Sequence, residues 1–127
     1  MLNPYEQYKQ TSVNTMTKGE LLLSLFDGAI KKLNQSKILM DNKDYDQSKL
    51  FLEKCRDIFN YLIATLDYNY EMSNELKEMY SFFNREIIKA IVSRSTKPID
   101  DILPLVRDYR NTWEQADKLA RSSKKVV

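Results

Sequence analysis

The chain contains no histidine, one cysteine, two glycines and three prolines among its 127 residues. Without histidine it lacks the commonest general base, and it cannot build a ferritin-like di-iron site, which needs Glu-x-x-His pairs facing a bundle core. One cysteine cannot form an intramolecular disulfide, and the isolated glycines make no loop that could cradle a phosphate. These absences predict a protein that is not an enzyme and has no metal site and no cofactor.

The chain also lacks a large excess of charge of one sign, because it contains 20 basic and 18 acidic residues. A net charge of +2 gives no strong field that would attract nucleic acid or an anionic membrane. No apolar run approaches the roughly 18 residues that a membrane span needs, and the first residues lack the basic and then apolar pattern of a signal peptide. We therefore expect a cytoplasmic protein that neither binds nucleic acid nor inserts into a membrane.

The sequence does contain four segments whose apolar residues recur at helical spacing, separated by short breaks. Thr17 and Glu20 have the spacing of a capping box, which predicts the start of the first helix. Asp44 and Ser73 are suitable caps for the second and third helices, and the fourth is expected to begin near residues 98–101. Within the second segment, Cys55 lies in the apolar stripe, so we expect a buried structural thiol.

Helices of this length with short connections pack as antiparallel neighbours. The predicted fold class is therefore all-α: an antiparallel up-down four-helix bundle with an extended N-terminal arm. Residues 1–16 are assigned to the arm, 17–121 to the bundle and 122–127 to a basic tail. Pro104 is expected in or near the first turn of the last helix, where a missing N–H loses little.

The N-terminal arm and the first helix both have features that suggest binding. Tyr5 and Tyr8 precede the first cap, and exposed aromatic rings there favour contact with a partner or with the protein's own surface. The first helix carries more large apolar side chains than one face buries. Gly28-Ala29 within it suits either a close helix crossing or a ligand groove floored by small residues.

Two stretches carry a family resemblance: Asn3-Pro4-Tyr5, Tyr8, Ser12-Val13-Asn14-Thr15, Thr17, Leu21 and Leu25-Phe26-Asp27-Gly28-Ala29 near the start, and Tyr109-Arg110-Asn111-Thr112-Trp113 on the last helix. With these residues the chain resembles the FliS family of flagellar secretion chaperones along almost its whole length. Lys18 departs from the family, which usually has proline there, and Asn111-Thr112 replaces a common Asp-Ala.

The resemblance implies a cytoplasmic chaperone that binds the C-terminal segment of flagellin, prevents its premature polymerisation and delivers it to the flagellar type III export gate. It implies that the arm covers part of the apolar surface when cargo is absent, and that Tyr5 and Tyr8 belong to the region that contacts the gate. It leaves open an anti-sigma factor or a co-chaperone as a further partner. The candidate cargo-binding residues, not yet sorted into inward- and outward-facing, are Leu21, Leu22, Leu25, Phe26, Gly28, Ala29 and Ile30.

Two other classes of function stay open from the residues alone. One is a generic helical protein–protein adaptor without chemistry, and the other is a nucleic-acid-binding bundle. The salt dependence of binding distinguishes these two classes. Binding through phosphates weakens steeply as the salt concentration rises, whereas binding of an apolar helix does not.

Overall fold

The computed structural model describes residues 16–125, and its regular structure there is entirely helical. The four helices are α1 (Lys18–Asp41), α2 (Tyr45–Ala64), α3 (Met72–Ser93) and α4 (Lys97–Lys125). Each packs against its neighbours in sequence, and α4 also packs against α1. The predicted all-α four-helix bundle is confirmed, while residues 1–15 of the predicted arm lie outside the described part of the chain. None of the described helices is long and apolar enough to cross a membrane.

Two of the predicted helix starts are formed by their expected caps. The Thr17 hydroxyl accepts a hydrogen bond from the Glu20 N–H at 3.1 Å, and the Asp44 carboxylate accepts one from the Gln47 N–H at 3.3 Å. Each bond satisfies a backbone donor that has no partner within its own helix. The Glu20 carboxylate pairs with Arg121 at 3.1 Å, which links the start of α1 to the end of α4.

The other two starts differ from the prediction. Ser73 does not cap α3, which already begins at Met72; its hydroxyl donates instead to the Tyr70 carbonyl at 2.6 Å. The fourth helix begins at Lys97, so Pro104 lies inside α4 rather than near its first turn. An interior proline removes one backbone hydrogen bond, but Pro104 is exposed, so water can reach the carbonyl that is left free.

At the C-terminus, residues 122–125 of the segment assigned to a basic tail are helical and continue α4. Ala116 and Ala120, which lie at helical spacing with the buried stripe, are exposed.

The core runs along the inside of the bundle and is richest in aromatic rings at its centre. The Tyr80 ring lies 6.1 Å from the ring centroids of both Phe26 and Phe59, and Phe59 lies 5.1 Å from Phe83. All four side chains are at most 1% exposed. Burial of side chains this large stabilises the fold by roughly 1.5–3 kcal/mol each, so this cluster fixes how the first three helices pack.

A network of ion pairs joins α1 to α4 on the outside. The Arg110 guanidinium donates to Asp27 and to Glu114, each at 2.8 Å, and thereby connects the two sequence stretches that carry the family resemblance. The hydrogen bond from Arg110 holds the pKa of Glu114 below its usual range, with further help from the charges of Arg110 and Lys118. The network links α4 to α1 close to Trp113 in the sequence.

Candidate functional site

An apolar cavity of about 420 Å³ opens at the end of the bundle where α2 turns into α3. We refer to it as the end cavity. All four helices contribute to it, although α1 supplies one residue, Leu22, and α4 supplies one, Trp113. Its described lining consists of Leu22, Leu62, Thr65, Leu66, Asp67, Tyr70, Glu71, Met72, Ser73, Leu76, Tyr80 and Trp113.

The connection between α2 and α3 borders the end cavity. Thr65 ends α2 by donating from its N–H and its hydroxyl to the Tyr61 carbonyl, each at 3.0 Å. Asp67 then accepts from the Asn69 N–H at 3.0 Å and makes a local turn. These hydrogen bonds satisfy polar groups of the connection locally, and the connection lines the end cavity through Thr65, Asp67 and Tyr70.

Large apolar side chains stand exposed around the mouth of the end cavity. Tyr70 is 70% exposed, Met72 62% and Tyr68 52%. Tyr70 and Met72 also line the cavity, so the exposed surface and the concave surface are continuous. An apolar hollow with an apolar rim is typical of a site for a partner's hydrophobic side chains.

Tyr80 and Trp113 place a polar group at the edge of this apolar lining. The Tyr80 side chain is 1% exposed, and it lies close to the half-buried Trp113 side chain. The pKa of Tyr80 is raised to about 12, mainly by burial; Trp113 opposes the shift and Tyr109 adds to it. At neutral pH the hydroxyl therefore keeps its proton and remains a donor.

Three of the predicted site residues lie in the core. Leu25 is 1% exposed, and Phe26 and Ala29 are fully buried, so none of them is accessible to a ligand in this structure. The Cys55 thiol, 3.7 Å from the Ala29 carbonyl, marks a close approach of α2 to α1. This contact favours the close helix crossing as the reason for a small residue at Ala29, because α2 already occupies that side of α1.

The remaining predicted residues are divided between the core edge and the end cavity. Leu21 and Ile30 are half-buried and pack against the core, and Gly28 is half-buried. Leu22 alone among the seven lines the end cavity. Tyr5 and Tyr8 lie outside the described residues, and cargo binding by the whole predicted set stays a prediction.

Most of the end cavity was missed by sequence reasoning because its residues come from α2, α3 and the connection between them. A usable signal was present in Asp67-Tyr68-Asn69-Tyr70, where two aromatic residues interrupt a polar helix break. Aromatic rings in a loop have no helix face on which to be buried, so they are candidates for contact with a partner.

A second, larger hollow of about 920 Å³ lies along α3 and reaches Tyr109 of α4. We refer to it as the side cavity. Met79 and Phe82 give it an apolar floor, but the Arg85 guanidinium lies 5.9 Å from the Phe82 ring centroid and Glu78 stands at its rim. Its charged rim keeps the surface hydrated, so the side cavity is less suited to apolar capture than the end cavity.

The described residues give little support for a metal site or a reactive side chain. They contain no group of three or more histidine, cysteine and acidic side chains that could hold a metal ion. Cys55 is fully buried, and burial raises the pKa of its thiol, which disfavours the reactive thiolate. Burial lowers the pKa of Lys32, whose side chain lies near Cys55, but neither residue lines the end cavity.

Comparison with known proteins agrees with a role in binding. The sequence model of the family described as "Flagellar protein FliS" matches residues 1–120. A curated relative, "Flagellar secretion chaperone FliS" of Bacillus subtilis (strain 168), is 33% identical over 122 residues, covering 96% of this chain and 92% of the relative. Another of the same name, from Campylobacter jejuni subsp. jejuni serotype O:6 (strain 81116 / NCTC 11828), is 22% identical over 113 residues, covering 87% and 88%.

Proposed function

The chain belongs to the FliS family of flagellar secretion chaperones, and on that premise we propose that it binds the C-terminal segment of flagellin at the end cavity. By covering that segment in the cytoplasm it prevents premature polymerisation, and it then delivers flagellin to the type III export gate. It acts by binding and catalyses no reaction. An anti-sigma factor or a co-chaperone is a further candidate partner for the same surface.

The observation that carries this proposal is the continuity of the apolar cavity with its exposed rim. Tyr70 and Met72 place large apolar groups in water beside a hollow that is lined mainly by leucine and aromatic side chains. A segment that is disordered when free and forms a helix on binding gains by inserting its apolar side chains into such a hollow. The preformed cavity adds no cost of reorganising the bundle.

The identity of the bound partner distinguishes this proposal from the alternative of a generic helical adaptor. A peptide covering the C-terminal segment of flagellin should bind and gain helix, with the negative heat-capacity change that accompanies apolar burial. Its affinity should change little with salt, because the contacts are not made through phosphates or other charge pairs. Failure of this peptide to bind the folded full chain would favour the adaptor.

The substitution Met72→Asp tests whether the flagellin segment binds at the end cavity. The carboxylate would be taken out of water on binding without a partner, so we expect affinity for the flagellin peptide to fall about tenfold or more. Isothermal titration calorimetry measures the change. Leu50→Asp is a matched control, because Leu50 is 54% exposed on α2 and does not line the end cavity. If both variants fold and bind like the parent chain, cargo binds elsewhere.

A further inference from the structure

Met72 combines an exposed methionine side chain with a place in the lining of the end cavity. It is 62% exposed, and it is the first residue of α3, directly after the connection that carries Tyr70. The more exposed a methionine is, the more readily its thioether is oxidised, and oxidation makes the side chain polar. An oxidant would therefore act on a side chain that the end cavity presents to a partner.

The other methionines in the described part of the chain are less accessible. Met40 is 6% exposed and belongs to the core, and Met79 is half-buried at the side cavity. Met16 is half-buried as well, and the Ser24 hydroxyl donates to its sulfur at 3.8 Å, which engages an electron pair that would attack an oxidant. Among these four methionines, Met72 is the one most open to oxidation.

We propose that Met72 is an oxidation site through which a peroxide makes the rim of the end cavity polar and weakens binding there. The sulfur attacks one oxygen of hydrogen peroxide, so an S–O bond forms and the O–O bond breaks. The second oxygen takes the proton of the first and leaves as water. Sulfur loses two electrons and becomes a sulfoxide, and the peroxide gains them. A methionine sulfoxide reductase reverses the change with two thiols, which become a disulfide as the oxygen leaves as water.

The sulfoxide changes what the rim offers to an apolar occupant. In the free chain, water hydrogen-bonds the sulfoxide oxygen, because the side chain at this position is exposed. An occupant that inserts apolar groups beside Leu66 and Leu76, which lie in the same lining, removes that water without replacing its hydrogen bond. Burial of an unpaired polar group costs free energy, so binding weakens. The loss of cargo binding rests on the proposed function, whereas the oxidation itself does not.

The oxidation is tested on the full chain without cargo. The chain is treated with hydrogen peroxide for increasing times and digested with trypsin, and mass spectrometry measures the sulfoxide at each methionine. Cleavage after lysine and arginine leaves each of the five methionines in its own peptide, so the sites are measured separately. Met72 should oxidise about threefold or more faster than Met79, and about tenfold or more faster than Met40. Oxidation of Met72 no faster than that of Met79 would overturn the proposal.

The effect on binding is tested with Met72→Leu, which keeps an apolar side chain and removes the oxidisable sulfur. Peroxide should weaken binding of the flagellin peptide to the parent chain about three- to tenfold, and the reductase should restore it. Peroxide should not change the affinity of Met72→Leu. Met79→Leu is the matched control, because Met79 lines the side cavity, and it should lose affinity on oxidation as the parent chain does. An equal loss in Met72→Leu would assign the effect to another methionine and contradict the proposal.

An uncharged apolar fluorophore, N-phenyl-1-naphthylamine, tests the surface without flagellin. Its fluorescence rises on binding to apolar surface, and peroxide should weaken its binding to the parent chain and to Met79→Leu but not to Met72→Leu. No change in the parent chain, or the same change in Met72→Leu, overturns the oxidation site whatever the peptide does. A flagellin peptide that fails to bind the untreated chain contradicts the proposed function, while a fluorophore response that depends on Met72 still supports the oxidation site.

Discussion

The helices of the bundle are connected differently at its two ends. At one end, which we term the closed end, α1 turns into α2 through residues 42–44 and α3 into α4 through residues 94–96. Lys43 and Arg94 adopt left-handed backbone conformations there, with φ of 60° and 52°. Tyr45 lies under the Arg94 guanidinium, and Lys37 of α1 pairs with Asp100 of α4. Tight turns and side-chain contacts join the helix ends there, and a smaller hollow of about 300 Å³ remains beside Tyr45 and Arg94.

At the other end, which we term the open end, the connection between α2 and α3 runs from residue 65 to residue 71. It satisfies its polar groups locally and leaves Tyr70 and Met72 exposed beside the end cavity. At the open end this apolar surface is accessible, and under the proposed function it is the surface that meets cargo.

Thiol labelling should give the largest contrast between the buried interior and the open end. Cys55 is fully buried, whereas a cysteine introduced by Tyr70→Cys would stand at a site that is 70% exposed. With excess thiol reagent, Tyr70→Cys should show one fast equivalent and one slow equivalent. We expect the rates to differ by about a thousandfold or more, because the buried thiol reacts only when the bundle opens. Comparable rates would mean that the interior opens as readily as the end cavity.

Truncation of one leucine in each region should separate stability from binding. Leu33 is fully buried in the half of α1 nearer the closed end, so Leu33→Ala should lower the free energy of unfolding by about 2–5 kcal/mol. Leu66→Ala should cost less than half as much, because Leu66 is half-buried and already borders a cavity. Urea unfolding measures both. A larger loss for Leu66→Ala would show that the open end also stabilises the bundle.

The smallest expected effect concerns the turn at residue 43. A non-glycine residue in the left-handed region is strained, and glycine is not, so Lys43→Gly should stabilise the bundle by about 0.5–1 kcal/mol after its own entropy cost. Thermal unfolding measures the gain, and affinity for the flagellin peptide should not change. A loss of stability would mean that the Lys43 side chain contributes more than its backbone costs.

Local sequence patterns were sufficient wherever a structure depends on nearby residues. Thr17 and Asp44 were identified as caps because the donor that each satisfies lies three residues away. The predicted cap at Ser73 and the predicted place of Pro104 near a first turn were wrong for a related reason. Several residues near each helix start could form its first turn. The choice there depends on how the helix meets its neighbours, and a single segment does not contain that information.

The sequence by itself determined the helices, their order, the bundle class and the family, because each follows from periodicity, caps, short breaks or motif residues along the chain. Tertiary structure alone decided which apolar residues face inward. Leu22 and Phe26 lie one turn apart on α1, yet Phe26 is enclosed by α2 and α3 while Leu22 reaches the end cavity. The physical reason is that burial depends on what the other helices cover, and the residues that cover Phe26 and border Leu22 are distant in sequence.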